Sequence, residues 1–113
     1  MTTHRLSRSD FVRIRGGKRQ SRVHGTCFSL ATSPLSGDIG PKFACVVSTK
    51  VSKKAVVRNR IKRLCREAVG SRIAGIQKSL ALVFYAKREA ADTPRAAILR
   101  DADELLEKIQ ASQ

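Results

Sequence analysis

The sequence predicts an α/β fold: a single-domain two-layer sandwich with helices packed on one sheet, in the order α-β-β-α-β-α. Three observations predict it. A chain of 113 residues suits one domain with a modest core. The apolar residues alternate along the chain between helical spacing and strand-like runs. Turn formers gather between those segments, at Gly16-Gly17, across residues 32–41 and at Asp92-Thr93-Pro94.

Each element has its own justification. Residues 1–6 read as a flexible basic arm. Ser7 and Asp10 have capping-box spacing and Phe11 pairs with Ile14, so a short first helix is expected, ended by Gly16-Gly17. Lys18, Arg19 and Arg22 form a cationic connector. Residues 22–31 read as one strand with Thr26, Phe28 and Leu30 on one face, and Gly25 marks a bulge or a close approach. Residues 32–41 form a loop. Phe43 to Ser48 is nearly all apolar, the pattern of a strand covered on both faces, and is expected to pair antiparallel with the strand before it. A helix then runs from Ala55 to near Gly70. Ile73 and Ile76 suggest one more turn in the connector, and Leu80 to Ala86 is another strand. Pro94 is pre-set for the start of a last helix, whose apolar face is Ile98, Leu99, Ala102, Leu105, Leu106 and Ile109. That helix carries Asp101, Asp103, Glu104 and Glu107 and forms the neutral side of the molecule.

The net charge is +14, and its distribution says more than its size. Residues 1–66 hold 16 basic and 2 acidic side chains, whereas residues 67–113 hold 7 of each. Such a concentration of like charge repels itself unless a polyanion neutralises it, and nucleic acid is the default partner. The centre is Lys50 to Arg66, 17 residues with eight Lys or Arg and no acid. From Ala55 it is amphipathic. Val57, Ile61, Leu64, Cys65 and Ala68 share one helical face, Arg58, Asn59, Lys62, Arg63 and Arg66 sweep round the other, and Arg60 stands at the edge of the apolar stripe.

Several function classes are excluded. The two His give no triad context, and no phosphate-binding Gly-rich loop is present. The three Cys are odd in number, with no C-x-x-C pair, which excludes a disulfide framework and a zinc site and suits a reducing, cytoplasmic setting; Cys45 and Cys65 lie in apolar-patterned positions as small buried hydrophobes. No apolar run reaches the ~20 residues of a membrane span, the start lacks the apolar segment of a secretory signal, and the basic helix lacks bulky anchors for a membrane surface. A DNA-reading helix belongs in a helix-turn-helix, a finger or a dimer, and none is visible. RNA fits better, with Phe11 and Phe28 either stacking on bases or filling the core. On the residues alone, a general RNA-binding or ribosomal-type protein remains open.

The segment Ser48 to Arg66 closely resembles the central motif of the protein subunit of bacterial ribonuclease P: a strand ending in Ser-x-Lys, a short gap, Ala-Val-x-Arg-Asn-Arg, then Lys-Arg-x-x-Arg on the same helix. The likeness extends to Arg5-Leu6, Asp10-Phe11, the strand ending Ala86-Lys87-Arg88 and the last helix, so it covers nearly the whole chain as one RNA-binding domain. It implies a left-handed β-α-β crossover through 43–48, 55–68 and 80–86. It implies an RNA-borne activity: the catalytic RNA, with Mg2+ held mainly by RNA and substrate, cuts the 5′ leader from precursor tRNA, with no protein side chain as catalyst and no protein partner required. Lys50, Lys54, Arg58, Asn59, Arg60, Lys62, Arg63 and Arg66 fall on or beside the motif and are expected to contact the catalytic RNA. A cleft between the first helix and the sheet is expected to hold the leader, with Phe11, Arg15, Phe28 and Lys87 lining it. Arg15 stands where many members have a second aromatic residue, Thr49 where many have Lys, and Ala81 where Asp is common.

Overall fold

The computed structural model describes residues 21–34, 41–76 and 80–111. The expected first helix, the basic arm, and with them Phe11 and Arg15, lie outside the described residues. The elements are β1 (Ser21–His24), β2 (Phe28–Pro34), β3 (Lys42–Val46), α1 (Ala55–Gly70), β4 (Leu80–Ala86) and α2 (Arg95–Ala111), with short 3-10 turns at Ile73–Gly75 and Arg88–Asp92. The α/β sandwich is confirmed: one four-stranded sheet in the order β1-β2-β4-β3, with α1 and α2 on one face.

The strand pairing departs from expectation in two places. Residues 22–31 are not one strand; the chain reverses after His24, and β1 returns antiparallel on β2 with Arg22 opposite Ala31 and His24 opposite Ser29. In addition, β3 does not pair with the strand before it. β4 inserts between them, antiparallel to β2 and parallel to β3, so that β3–α1–β4 is a crossover joining neighbouring parallel strands. β3 is therefore an edge strand with every residue half-buried, rather than one covered on both faces. Full coverage belongs to β4, whose residues Ala81 to Phe84 are all buried. A run of apolar residues reports how much burial a strand can use, not which neighbours supply it.

The period of two assigns each strand residue to a face. Phe28, Leu30, Leu82 and Phe84 face the helices and meet Ile61, Leu64, Cys65 and Val69 of α1 and Ile98, Leu105 and Leu106 of α2. Phe28 and Phe84 pack edge to face, with ring centroids 5.9 Å apart and planes at 84°, a geometry that adds about 0.5–1.5 kcal/mol to area burial. The helical periods are borne out: α1 buries Ile61, Leu64, Cys65, Ala68 and Val69, and the connector turn buries Ile73 and Ile76.

Acids of the neutral half are used internally. Arg72 donates Nε to Asp103 and Nη2 to Glu107 (2.9 Å), tying the end of α1 to α2, and Arg95 donates to Glu67 (2.5 Å). These pairs are partly or wholly exposed and contribute little each, though they fix how the two helices lie. Asp101 is different. It is buried, and its carboxylate accepts from the backbone N–H groups of Thr26 (2.9 Å), Cys27 (3.0 Å) and Phe28 (3.0 Å), the residues that turn the chain from β1 into β2.

Cys27, Cys45 and Cys65 are free thiols, as expected; Cys27 and Cys65 are buried and Cys45 is half-buried. Burial, and then the neighbouring Cys45, push the Cys65 thiol well above its ordinary value of 9.0. The unfolded chain therefore loses this proton first. The stability associated with it is complete below pH 9.0 and declines as pH rises through the folded-state value. Urea unfolding between about pH 8 and pH 10.5 should show a shallower alkaline decline in Cys65→Val than in the parent chain. Equal slopes would remove Cys65 from the linkage.

Candidate nucleic-acid interface

α1 begins without a side-chain cap: Lys54, at the N-cap, is extended (φ −82°, ψ 119°), and no acid stands in the first turn. The positive end of the helix dipole thus adds to the cations around it. The approach to the helix is ordered locally. Val51 N–H donates to Ser48 O (3.1 Å), Lys54 N–H to Ser52 Oγ (3.2 Å), and Arg58 Nη1 folds back onto Ser52 O (2.9 Å). Arg58 consequently braces the linker that carries Lys50, Lys53 and Lys54, all of them exposed.

Along α1 the cations divide by what they touch. Arg60, at the edge of the apolar stripe as the periodicity predicts, is half-buried and directs both terminal nitrogens at Thr93 O (3.4 Å each), before α2. Asn59, Arg63 and Arg66 are exposed and Lys62 half-buried. Among the described residues, no ion pair involves a cation of residues 50–66. Arg72 and Arg95, beyond the motif, are held by acids. The outward face of α1 is therefore a set of uncompensated positive charges on a rigid rod, the electrostatic footprint for phosphates. Val56, 80% exposed, stands on the same face.

Two of the expected cleft residues, Phe28 and Lys87, are described, and each has a partner within the fold. Phe28 is 1% exposed and wedged against Phe84, so its ring cannot stack on a base; it is a core residue, because the helix-facing side of β2 is the side filled by α1 and α2. Lys87 is half-buried, and its Nζ donates to Gly25 O (2.8 Å), at the β1–β2 turn.

The other face of the sheet holds residues that the sequence reading did not assign to a site. The register sets Arg22, Ala31, Val83 and Ala44 in one row across the four strands, and His24, Ser29, Tyr85 and Val46 in the next. The middle of this face is small and buried, whereas Arg22 and His24 at its edge are exposed and Tyr85 is half-buried. The Arg22 guanidinium lies over the Tyr85 ring, 5.1 Å from its centroid, a cation–π contact. A signal for Tyr85 existed. If Phe84 fills the core, the residue after it must point the other way. Arg22 could not be found so, because its strand was read as continuous with β2.

With this geometry, the relatives are informative. The family model described as Ribonuclease P matches residues 2–110. A ribonuclease P protein component of Microcystis aeruginosa is 36% identical over 107 residues, covering 93% of this chain and 89% of its own. A mutant of the Staphylococcus aureus RNase P protein superposes with a TM-score of 0.82 at 25% identity, covering 95% of this chain and 88% of its own. The RNase P protein from Thermotoga maritima shares the fold, with a TM-score of 0.75 at 23% identity over 92% of this chain and 96% of its own. Together with the motif on α1 and its uncompensated cations, these matches place the chain in the ribonuclease P protein family, as the protein component of a tRNA-processing nuclease.

Proposed function

We propose that the chain binds the catalytic RNA of ribonuclease P through the outward face of α1 and the 5′ leader of precursor tRNA across the sheet face opposite the helices, while the RNA carries out the hydrolysis. The observation that carries this reading is the concentration of unpaired cations on one helix and its approach. Among the described residues, none of the eight cations of residues 50–66 has an acidic partner, whereas Arg72 and Arg95 are neutralised within the fold. Asn59, Lys62, Arg63 and Arg66 meet phosphates; Arg58 and Arg60 hold the linker and the start of α2 in place around them. Charge of this kind offsets the repulsion between two RNAs and makes the assembly salt-dependent.

The leader lies along the two adjacent rows that contain Arg22 and, next to it, His24 and Tyr85. A stacked guanidinium and phenol offer one surface to a base and one charge to a phosphate. Added affinity for the leader favours precursor over mature tRNA, since specificity is a difference of affinities. Mg2+ belongs with RNA phosphates. Among the described residues no group of three or more His, Cys, Asp or Glu is placed to hold a metal ion. No step is assigned to a protein-bound metal.

Reconstitution tests the reading. The protein, a bacterial ribonuclease P RNA and precursor tRNA are mixed at low Mg2+, where the RNA alone is weak. Cleavage at the 5′ end of the mature tRNA should rise with added protein. No stimulation would favour a general RNA-binding role.

A further inference from the structure

We infer that Asp101 is a positioning residue for leader recognition: it locks the β1–β2 turn, and through that turn holds Arg22 over Tyr85. The inference rests on the proposed leader surface, and its test separates the two. β1 has only four residues and, among the described residues, pairs with β2 alone. A short edge strand with one partner has weak register specification of its own, and a slip of one residue would carry Arg22 to the other face. Something must fix the turn, and the sequence His24-Gly-Thr-Cys-Phe28 lacks the usual turn chemistry beyond its glycine.

Asp101 supplies what is missing. One carboxylate oxygen accepts from Thr26 N–H (2.9 Å) and the other from both Cys27 and Phe28 N–H (3.0 Å each). Gly25 must be glycine for the same reason, since a Cβ there would lie 2.6 Å and 2.7 Å from the two carboxylate oxygens, which cannot retreat while they hold three donors. Lys87 closes the turn from its other side, with Nζ on Gly25 O (2.8 Å) and its own N–H on Cys27 O (2.8 Å). These contacts join α2, the turn and the end of β4 into one unit. The acid of the neutral half thus acts on the strand that carries the cation.

Two lesions of different chemistry probe the lock. Asp101→Asn turns one acceptor oxygen into an NH2 group facing a backbone donor. Gly25→Ala keeps the carboxylate but pushes it away. Tyr85 is the only tyrosine and there is no tryptophan, so fluorescence and near-ultraviolet circular dichroism report on its surroundings directly. Arg22→Ala supplies the signal of the lost stack. Both variants should move the Tyr85 signal toward that of Arg22→Ala. In the reconstituted holoenzyme both should weaken precursor binding about three- to tenfold, with mature-tRNA and catalytic-RNA affinity within about twofold of the parent. The loss should appear in KM rather than in kcat at saturating substrate. An unchanged Tyr85 signal in both variants overturns the inference, as does an equal loss of affinity for the catalytic RNA. A changed Tyr85 signal with parental precursor affinity supports the lock and overturns the leader surface instead.

Discussion

Replacing Lys62, Arg63 and Arg66 together with alanine is expected to weaken binding of the catalytic RNA by about 50- to 170-fold at ~0.15 M salt, and to flatten the slope of log affinity against log salt by about 2 to 3. Each cation that neutralises a phosphate contributes roughly 0.7–0.9 to that slope. If the curves for variant and parent meet near 1 M salt, three lost contacts give the stated factor. The fold should not suffer. Among the described residues none of the three takes part in an ion pair, and the apolar face of α1 that packs on the sheet is untouched. The measurement is a filter-binding titration at several salt concentrations, with circular dichroism as the control. An unchanged slope would show that the phosphate contacts lie elsewhere. Arg58→Ala is expected to behave differently from these three. It removes one charge and also the brace on Ser52 O, so the linker carrying Lys50, Lys53 and Lys54 loosens with it.

The second large effect concerns stability. Phe28→Ala should cost about 3–5 kcal/mol, because it empties a fully buried site and leaves Phe84 without its edge-to-face partner. That is a large share of the roughly 5–15 kcal/mol that holds a domain together. Urea titration should show a lower midpoint at an unchanged slope. Phe28→Leu, which keeps most of the volume, should be far milder and should leave precursor affinity at the parental value. The opposite pattern, with stability kept and precursor affinity lost in Phe28→Leu, would return this ring to the leader surface.

Much of the site was legible because a helix has one period and α1 is cut cleanly by it. Ile61, Leu64, Cys65 and Ala68 are buried, Arg63 and Arg66 are exposed, and Arg60 sits at the boundary, where it was placed by counting about 100° per residue. The cleft was less legible. A strand residue at a given parity faces one side, but which side becomes the core depends on where the helices settle. Phe28 was therefore equally suited to either side, and Tyr85 was overlooked beside Phe84. Lys87 reads as one more cation at a basic rim, yet its charge is spent on Gly25 O, a partner 62 residues away. Asp101 reads as one of four acids on a neutral helix, yet it serves backbone donors 73 to 75 residues earlier.

The sequence by itself determined the α/β class, the two helices α1 and α2, the strand at residues 80–86, the family, and the cationic motif with its spacing. Each depends on residue type and local period, which the chain carries without reference to its fold. Only the tertiary structure decided that residues 22–31 turn at Gly25, that β4 separates β2 from β3, that Phe28 belongs to the core, and that Arg22 meets Tyr85. These are pairings between distant segments. The hydrogen bonds and packing that select them come from groups far apart in sequence, and local patterns hold no record of which partner will arrive.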